Sequence, residues 1–177
     1  MIDEVKEILV SESELNDITT RLANEINRDY AGEEVIFVGL LKGSFVFLSD
    51  LIKKVTVQCK IDFMIVSSYG ASTVSSGKVN IKKDLSQDIA DKHVIVVEDI
   101  VDSGITLNAV LALLDERCPK SLKLCSCLSK PSRRVKEVKI DYLGTEIPDE
   151  FVIGYGLDYD EKYRNLPYVA VIDPKYI

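Results

Sequence analysis

Glu98, Asp99 and Asp102 place three carboxylates within five residues, and no Lys or Arg lies among them. Like charges so close repel one another. Such a cluster is worth its electrostatic cost when an outside cation or a polyhydroxyl ligand meets it. Ser103-Gly104-Ile105-Thr106 follows directly, with small residues and hydroxyls where an apolar-periodic stretch begins. Backbone N–H groups at a helix start, reinforced by the helix dipole, form an anion site. A single ligand carrying sugar hydroxyls, a metal and a phosphate would engage the whole segment Val94–Leu107. The segment contains neither a G-x-x-x-x-G-K-[ST] loop nor a G-x-G-x-x-G fingerprint.

To present these groups, a buried strand must deliver Glu98 and a helix must start after Gly104. Val94–Val97 reads as that strand, and Ile105–Arg117 as that helix, with Leu107, Val110, Leu111 and Leu114 on one stripe. Val35–Leu41 is another continuous apolar run, the pattern of a strand buried on both faces. Ser11 and Glu14 form an S-x-x-E capping box for a helix ending near Ala31-Gly32. A helix is expected over Ser44–Lys54. Further strands are expected at Val57–Val66, Val79–Leu85, Leu122–Leu128, Val138–Leu143, Phe151–Tyr155 and Val169–Ile172. In the first of these, alternation puts Cys59, Ile61, Phe63 and Ile65 on one face. Strands alternating with helices predict an α/β, Rossmann-like domain with a mostly parallel central sheet flanked by helices. One domain is expected over residues 1–177, with a core at about 11–130 plus later strands. A small hood subdomain would come mainly from about 131–177 with N-terminal residues.

The 177 residues suit one domain, and 46% hydrophobic with 29% charged residues is neither a disordered nor a fibrous composition. A net charge of −7 argues against wrapping a nucleic-acid backbone. The longest apolar runs fall short of the ~20 residues that span a membrane. The N-terminus carries acids where a signal peptide needs basic residues, so a cytoplasmic location is expected. Cys59, Cys118, Cys125 and Cys127 include no C-x-x-C, and with His93 as the one histidine a structural zinc site lacks ligands. Reduced thiols are the expectation. His93 begins a strand, whereas ligands in open α/β sheets gather at the other end, so a structural or surface role suits it.

VVEDIVDSGITL resembles the signature of the type I phosphoribosyltransferases, and more narrowly of their hypoxanthine-guanine branch. Leu41-Lys42-Gly43 is similar to the family's pyrophosphate loop and Ser67–Gly77 to its mobile loop. Lys130-Pro131 resembles the site of its purine-contacting lysine, FVIGYGLD (Phe151–Asp158) its base pocket, and Arg164 in YRNLP a pyrophosphate contact. These pieces arrive in family order from about Val35 onward.

The resemblance implies transfer of the phosphoribosyl group of 5-phosphoribosyl 1-pyrophosphate to N9 of a 6-oxopurine, with Mg2+ as cofactor. Glu98 and Asp99 would meet the ribose hydroxyls of the magnesium-bound donor and serve as metal ligands. Asp158 would help hold a second magnesium. Asp102, Ser103, Gly104, Ile105 and Thr106 match the 5′-phosphate loop, and Asp102 is the candidate proton carrier at purine N7. Lys42 and Arg164 would meet pyrophosphate, and similar proteins often have a cis peptide between the residues matching Leu41 and Lys42. Lys130 would donate to the 6-oxo group, Phe151 would stack on the base, and the Val152 backbone would face its edge. Ser68 and Tyr69 belong to a lid over Ser67–Lys78 that would keep water from an oxocarbenium-like centre. Partners would be the donor and a purine base, with no nucleic acid and no membrane, in a homodimer or homotetramer. A metabolite-sensing regulatory protein of the same fold is the main alternative, and an enzyme acting on xanthine or a pyrimidine is a second.

Overall fold

The computed structural model describes residues 2–68 and 79–176. In chain order the elements are β1 (Val5–Val10), α1 (Glu12–Asp29), β2 (Glu34–Leu41), α2 (Phe45–Ile52), β3 (Gln58–Ser68) and β4 (Val79–Lys83). They continue with β5 (His93–Val101), α3 (Ile105–Asp115), β6 (Ser121–Ser129), β7 (Tyr142–Glu146), β8 (Val152–Ile153) and β9 (Val169–Ile172). Six strands form one sheet in the order β4-β3-β2-β5-β6-β7, parallel throughout except for the β3–β4 edge pair. The expected α/β class is the observed one.

Apolar runs buried on both faces explain the two-layered core. Val35, Phe37, Ile95 and Val97 face α1 and α2, where Leu15, Leu22, Ile26, Phe47 and Leu51 close the packing. Ile36, Val38, Val94 and Val96 face the other way, onto Val110 and Leu114 of α3. Because β2 leads through α2 to β3 on one side, and β5 leads through α3 to β6 on the other, strand order reverses between β2 and β5. Ligands in open α/β sheets bind at the carboxyl ends of such a pair. Here those ends carry Leu41–Gly43 and Glu98–Gly104.

A second sheet, β1-β9-β8, is antiparallel and joins the two ends of the chain. Its apolar face buries Val5, Ile153, Ala170 and Ile172 beside Tyr159, Tyr163 and Leu166.

Several boundaries correct the sequence reading. Strand β1 was not foreseen. β5 runs through Val101 rather than ending at Val97, so Glu98 and Asp99 lie within the strand, with Glu98 opposite Ser126 of β6. β7 begins at Tyr142 rather than Val138, because Asp141 and Leu124 exchange backbone and side-chain hydrogen bonds just before it. On β3 the alternation holds, but the more buried face carries Asp62 and Met64, while Ile61 is exposed. Among the described residues, no helix is long and apolar enough to cross a membrane.

Candidate active site

Strand β5 delivers Glu98 and Asp99 into the corner between β2 and α3. Asp99 Oδ1 accepts the Ile100 N–H at 2.8 Å. Its Oδ2 lies so close to Gly43 that any Cβ there would overlap the carboxylate, so only glycine lets the β2 loop approach. Glu98 Oε2 is sealed from water and has no hydrogen-bond partner among the described residues. Burial first, then the neighbouring Asp99 charge, pushes the Glu98 carboxyl well above its ordinary range. Burial also raises Asp99, tempered by its hydrogen bonds to Glu98 and to the Ile100 N–H and by the charge of Arg164. An orphaned, buried hard oxygen beside a second carboxylate fits a magnesium ion, which is usually held by one or two carboxylates plus substrate phosphates.

The next turn opens α3. Gly104 sits at the N-cap of α3 with φ 78°, and no side chain caps the helix or places an acid in its first turn. Ser103 Oγ accepts the Ile105 N–H at 3.4 Å, and the remaining N–H groups of a helix's first turn have no intrahelical partner. The loop is held from behind by residues 133–136. The Val135 and Lys136 N–H groups donate to the Ser103 carbonyl at 2.9 and 3.0 Å. Arg134 Nη1 donates to the Asp102 carbonyl at 2.9 Å and Nη2 to Ser129 Oγ at 2.7 Å. A Cβ at Gly104 would run into the Lys136 carbonyl. A cleft of about 290 Å³ opens here, lined by Lys42, Gly43, Glu98, Asp102, Ser103 and Thr106 among others.

Lys42 lines the cleft, and Arg164, which lines a neighbouring cavity, shares an anion with it. The Leu41–Lys42 peptide is cis. Lys42 Nζ reaches Glu161 Oε2 at 2.8 Å. Arg164 Nη2 lies 2.8 Å from Asp158 Oδ1 and 3.4 Å from the same Glu161 oxygen, and Nη1 donates to the Gly156 carbonyl at 2.8 Å. Arg164 Nε is buried without a partner among the described residues. Asp158 Oδ2 accepts the Glu161 N–H at 2.9 Å, so both of its oxygens are engaged away from Glu98 and Asp99.

The base-pocket candidates cluster at the end of β6. Lys130 is buried, and its Nζ donates to the Glu150 carbonyl at 2.7 Å, one residue before Phe151. Phe151 leaves 47% of its surface exposed and meets Tyr159 edge-on, at 5.7 Å between ring centroids. Val152 pairs with Val171 in the smaller sheet.

The phosphoribosyl transferase domain family matches residues 6–160. The chain belongs to the phosphoribosyltransferase family. Across 175 residues it is 45% identical to a hypoxanthine-guanine phosphoribosyltransferase of Staphylococcus aureus, covering 99% of this chain and 98% of that one. A Streptococcus pneumoniae enzyme of the same name is 46% identical over 170 residues, covering 96% of this chain and 94% of that one. The crystal structure of a hypoxanthine phosphoribosyltransferase from Staphylococcus aureus superposes with a TM-score of 0.95 at 45% identity. It covers 98% of this chain and 95% of that one.

As a phosphoribosyltransferase the chain brings Leu41–Gly43, Glu98, Asp99 and Asp102–Thr106 to one corner, with Lys130, Phe151 and Val152 at the end of β6 and in the smaller sheet. Ser68 ends β3 opposite Val79. Tyr69 and most of the expected lid lie outside the described residues. His93 stays structural at the far end of β5, bonded through Nδ1 to Ser121 Oγ at 2.7 Å. Sequence reasoning missed Arg133, Arg134 and Glu161. The arginines follow Lys130-Pro131, and a proline opening a short turn there was the available signal. Glu161 carried none.

Proposed function

We propose that the chain transfers the 5-phosphoribosyl group of 5-phospho-α-D-ribose 1-diphosphate to N9 of hypoxanthine, and of guanine. The products are the nucleoside monophosphate and pyrophosphate. The observation that carries this reading is the β5–α3 corner, where a buried acid pair runs directly into an uncapped helix N-terminus. A ribose with hydroxyls at one end and a phosphate at the other matches that order of groups.

In this reading the α3 amides, Ser103 and Thr106 hold the 5′-phosphate, and Glu98 and Asp99 accept the ribose hydroxyls. The same two acids would hold Mg2+, which when bound offsets negative charge developing on pyrophosphate. Lys42 and Arg164 exchange their contacts with Glu161 and Asp158 for pyrophosphate oxygens, where a planar guanidinium fits well. Asp158, paired with Arg164 here, would help hold a second magnesium. Lys130 donates to the 6-oxo group, favouring hypoxanthine or guanine over adenine, while Phe151 stacks on the ring and the Val152 backbone faces its edge. Asp102 carries the proton at N7 as the glycosidic bond forms at N9. The smaller sheet covers the base, and a lid including Ser68 and Tyr69 excludes water.

We further propose a homodimer or homotetramer, supported by the exposed apolar side chains of Phe45 and Ile61, and a cytoplasmic setting, consistent with four free cysteines. Light scattering checks the first; a monomer at micromolar concentration would contradict it.

The test is an assay with the donor, magnesium and each of hypoxanthine, guanine, xanthine, adenine and uracil. Nucleotide should form with hypoxanthine and guanine and disappear when the metal is chelated. Product with none of the five bases would overturn the proposal.

A further inference from the structure

The groups gathered around Asp102 include one that the reaction as described does not use. Arg133 stands on the short turn Pro131–Arg133, three residues beyond Lys130. Its Nε lies 3.0 Å from Asp102 Oδ1, and its Nη1 lies 3.3 Å from Asp149 Oδ1. Asp102 Oδ1 is hidden from water and lies outside hydrogen-bond geometry with every described group, so the guanidinium is what offsets its desolvation. The side chain as a whole is 44% exposed, so one oxygen is enclosed while much of the residue stays open to the cleft. Asp149 immediately precedes Glu150, whose carbonyl accepts Lys130 Nζ. Arg133 therefore links Asp102 to the bend that leads into β8, while Arg134 holds the same aspartate by its carbonyl.

We propose that Arg133 is a positioning residue for phosphoribosyl transfer: it clamps Asp102 through Oδ1, fixes the carboxylate plane, and leaves Oδ2 for purine N7. Asp149 anchors the clamp to the base-binding strand. The proposal rests on the reading of Asp102 as the proton carrier. A partly exposed ion pair contributes little to stability. Its effect here is geometric, since proton transfer depends on a donor–acceptor approach of a few tenths of an ångström.

The experiment is steady-state kinetics with hypoxanthine and the donor on wild type, Arg133→Met, Arg133→Lys, Asp149→Asn, Asp102→Asn and the double variants Asp102→Asn/Arg133→Met and Asp102→Asn/Asp149→Asn. Arg133→Met should lower kcat about tenfold with the donor KM within about twofold, because an interaction acting on the chemical step alone is lost. Arg133→Lys should recover part of kcat, and Asp149→Asn should lower it roughly threefold by loosening the anchor. On the Asp102→Asn background, Arg133→Met should cause no further loss, which a merely structural role would not produce. Two results would overturn the inference: kcat of Arg133→Met within twofold of wild type, or an equal fractional loss on both backgrounds. If Arg133→Met melts early, Asp149→Asn decides alone, since its loss must also vanish on the Asp102→Asn background. Wild-type turnover in Asp102→Asn would instead sink the reading of Asp102 itself.

Discussion

Helices α1 and α3 begin in opposite ways. At α1, Ser11 Oγ accepts the Glu14 N–H, Glu14 Oε2 accepts the Ser11 N–H at 2.8 Å, and Glu12 and Glu14 put two acids in the first turn. The positive end of that helix is satisfied by its own sequence. At α3 a left-handed glycine replaces the capping side chain and no acid enters the first turn, while Glu98 and Asp99 crowd the preceding strand without their own cation. One helix start is built for stability. The other forgoes about 1 kcal/mol of capping, its first turn holding only the long contact from the Ile105 N–H to Ser103 Oγ. The difference separates a self-capped terminus from the one that we propose receives the donor's phosphate.

The comparison breaks most visibly if α3 is made to resemble α1. Thr106→Glu puts a carboxylate into the first turn of α3. It should lower kcat/KM for the donor by at least about 100-fold through repulsion of the 5′-phosphate. Melting temperature should not fall, because the acid complements the dipole. Near-normal kcat/KM would show that no phosphate sits there.

Glu98→Gln should abolish most activity yet stabilise the ligand-free protein by about 1–3 kcal/mol at neutral pH, since it removes a buried acid from an unfavourable site. The sign follows from the raised carboxyl. Below its ordinary value of 4.5 the acid is protonated whether folded or unfolded, and the variant gains nothing. As pH rises above that value, the unfolded chain ionises while the folded one resists, so the advantage grows with pH. Denaturant titrations at several pH values check this, and a gain that shrinks as pH rises would contradict it.

Ser11→Ala carries the opposite signature. Loss of the α1 cap should cost about 1 kcal/mol in urea unfolding and leave kcat within about twofold. The smallest effect concerns the anions that occupy the cations of the site. Glu161→Gln frees Lys42 and removes the longer of two carboxylate contacts of Arg164, and should lower the donor KM roughly threefold, an exposed pair being weak. An increase in donor KM would show that Glu161 organises the cations instead of occupying them.

The α1 terminus was fully legible because a capping box is local, written in Ser11 and Glu14. The composition of the α3 terminus was also legible, because three acids and a DSG turn are unusual in any context. What sequence could not show depended on distant partners. Strand β1 pairs with β9 at the far end of the chain, so its own pattern was too weak to declare it. Glu98 looked like the end of an apolar run, yet ladder pairing with β6 continues to Val101. Lys130 and Phe151 read as ordinary surface and core residues in isolation, and the fold inverts both, burying the lysine and leaving the ring half exposed. Arg133 acquires meaning only when a turn after β6 folds back onto Asp102.

The claim that α3 opens to the donor's phosphate is tested most directly by amide hydrogen exchange, with and without saturating ribose 5-phosphate. Protection should appear over Ser103–Leu107, with unphosphorylated ribose ineffective and the first turn of α1 unchanged. Equal protection at both helix starts, or none at Ser103–Leu107 under saturation, would contradict it.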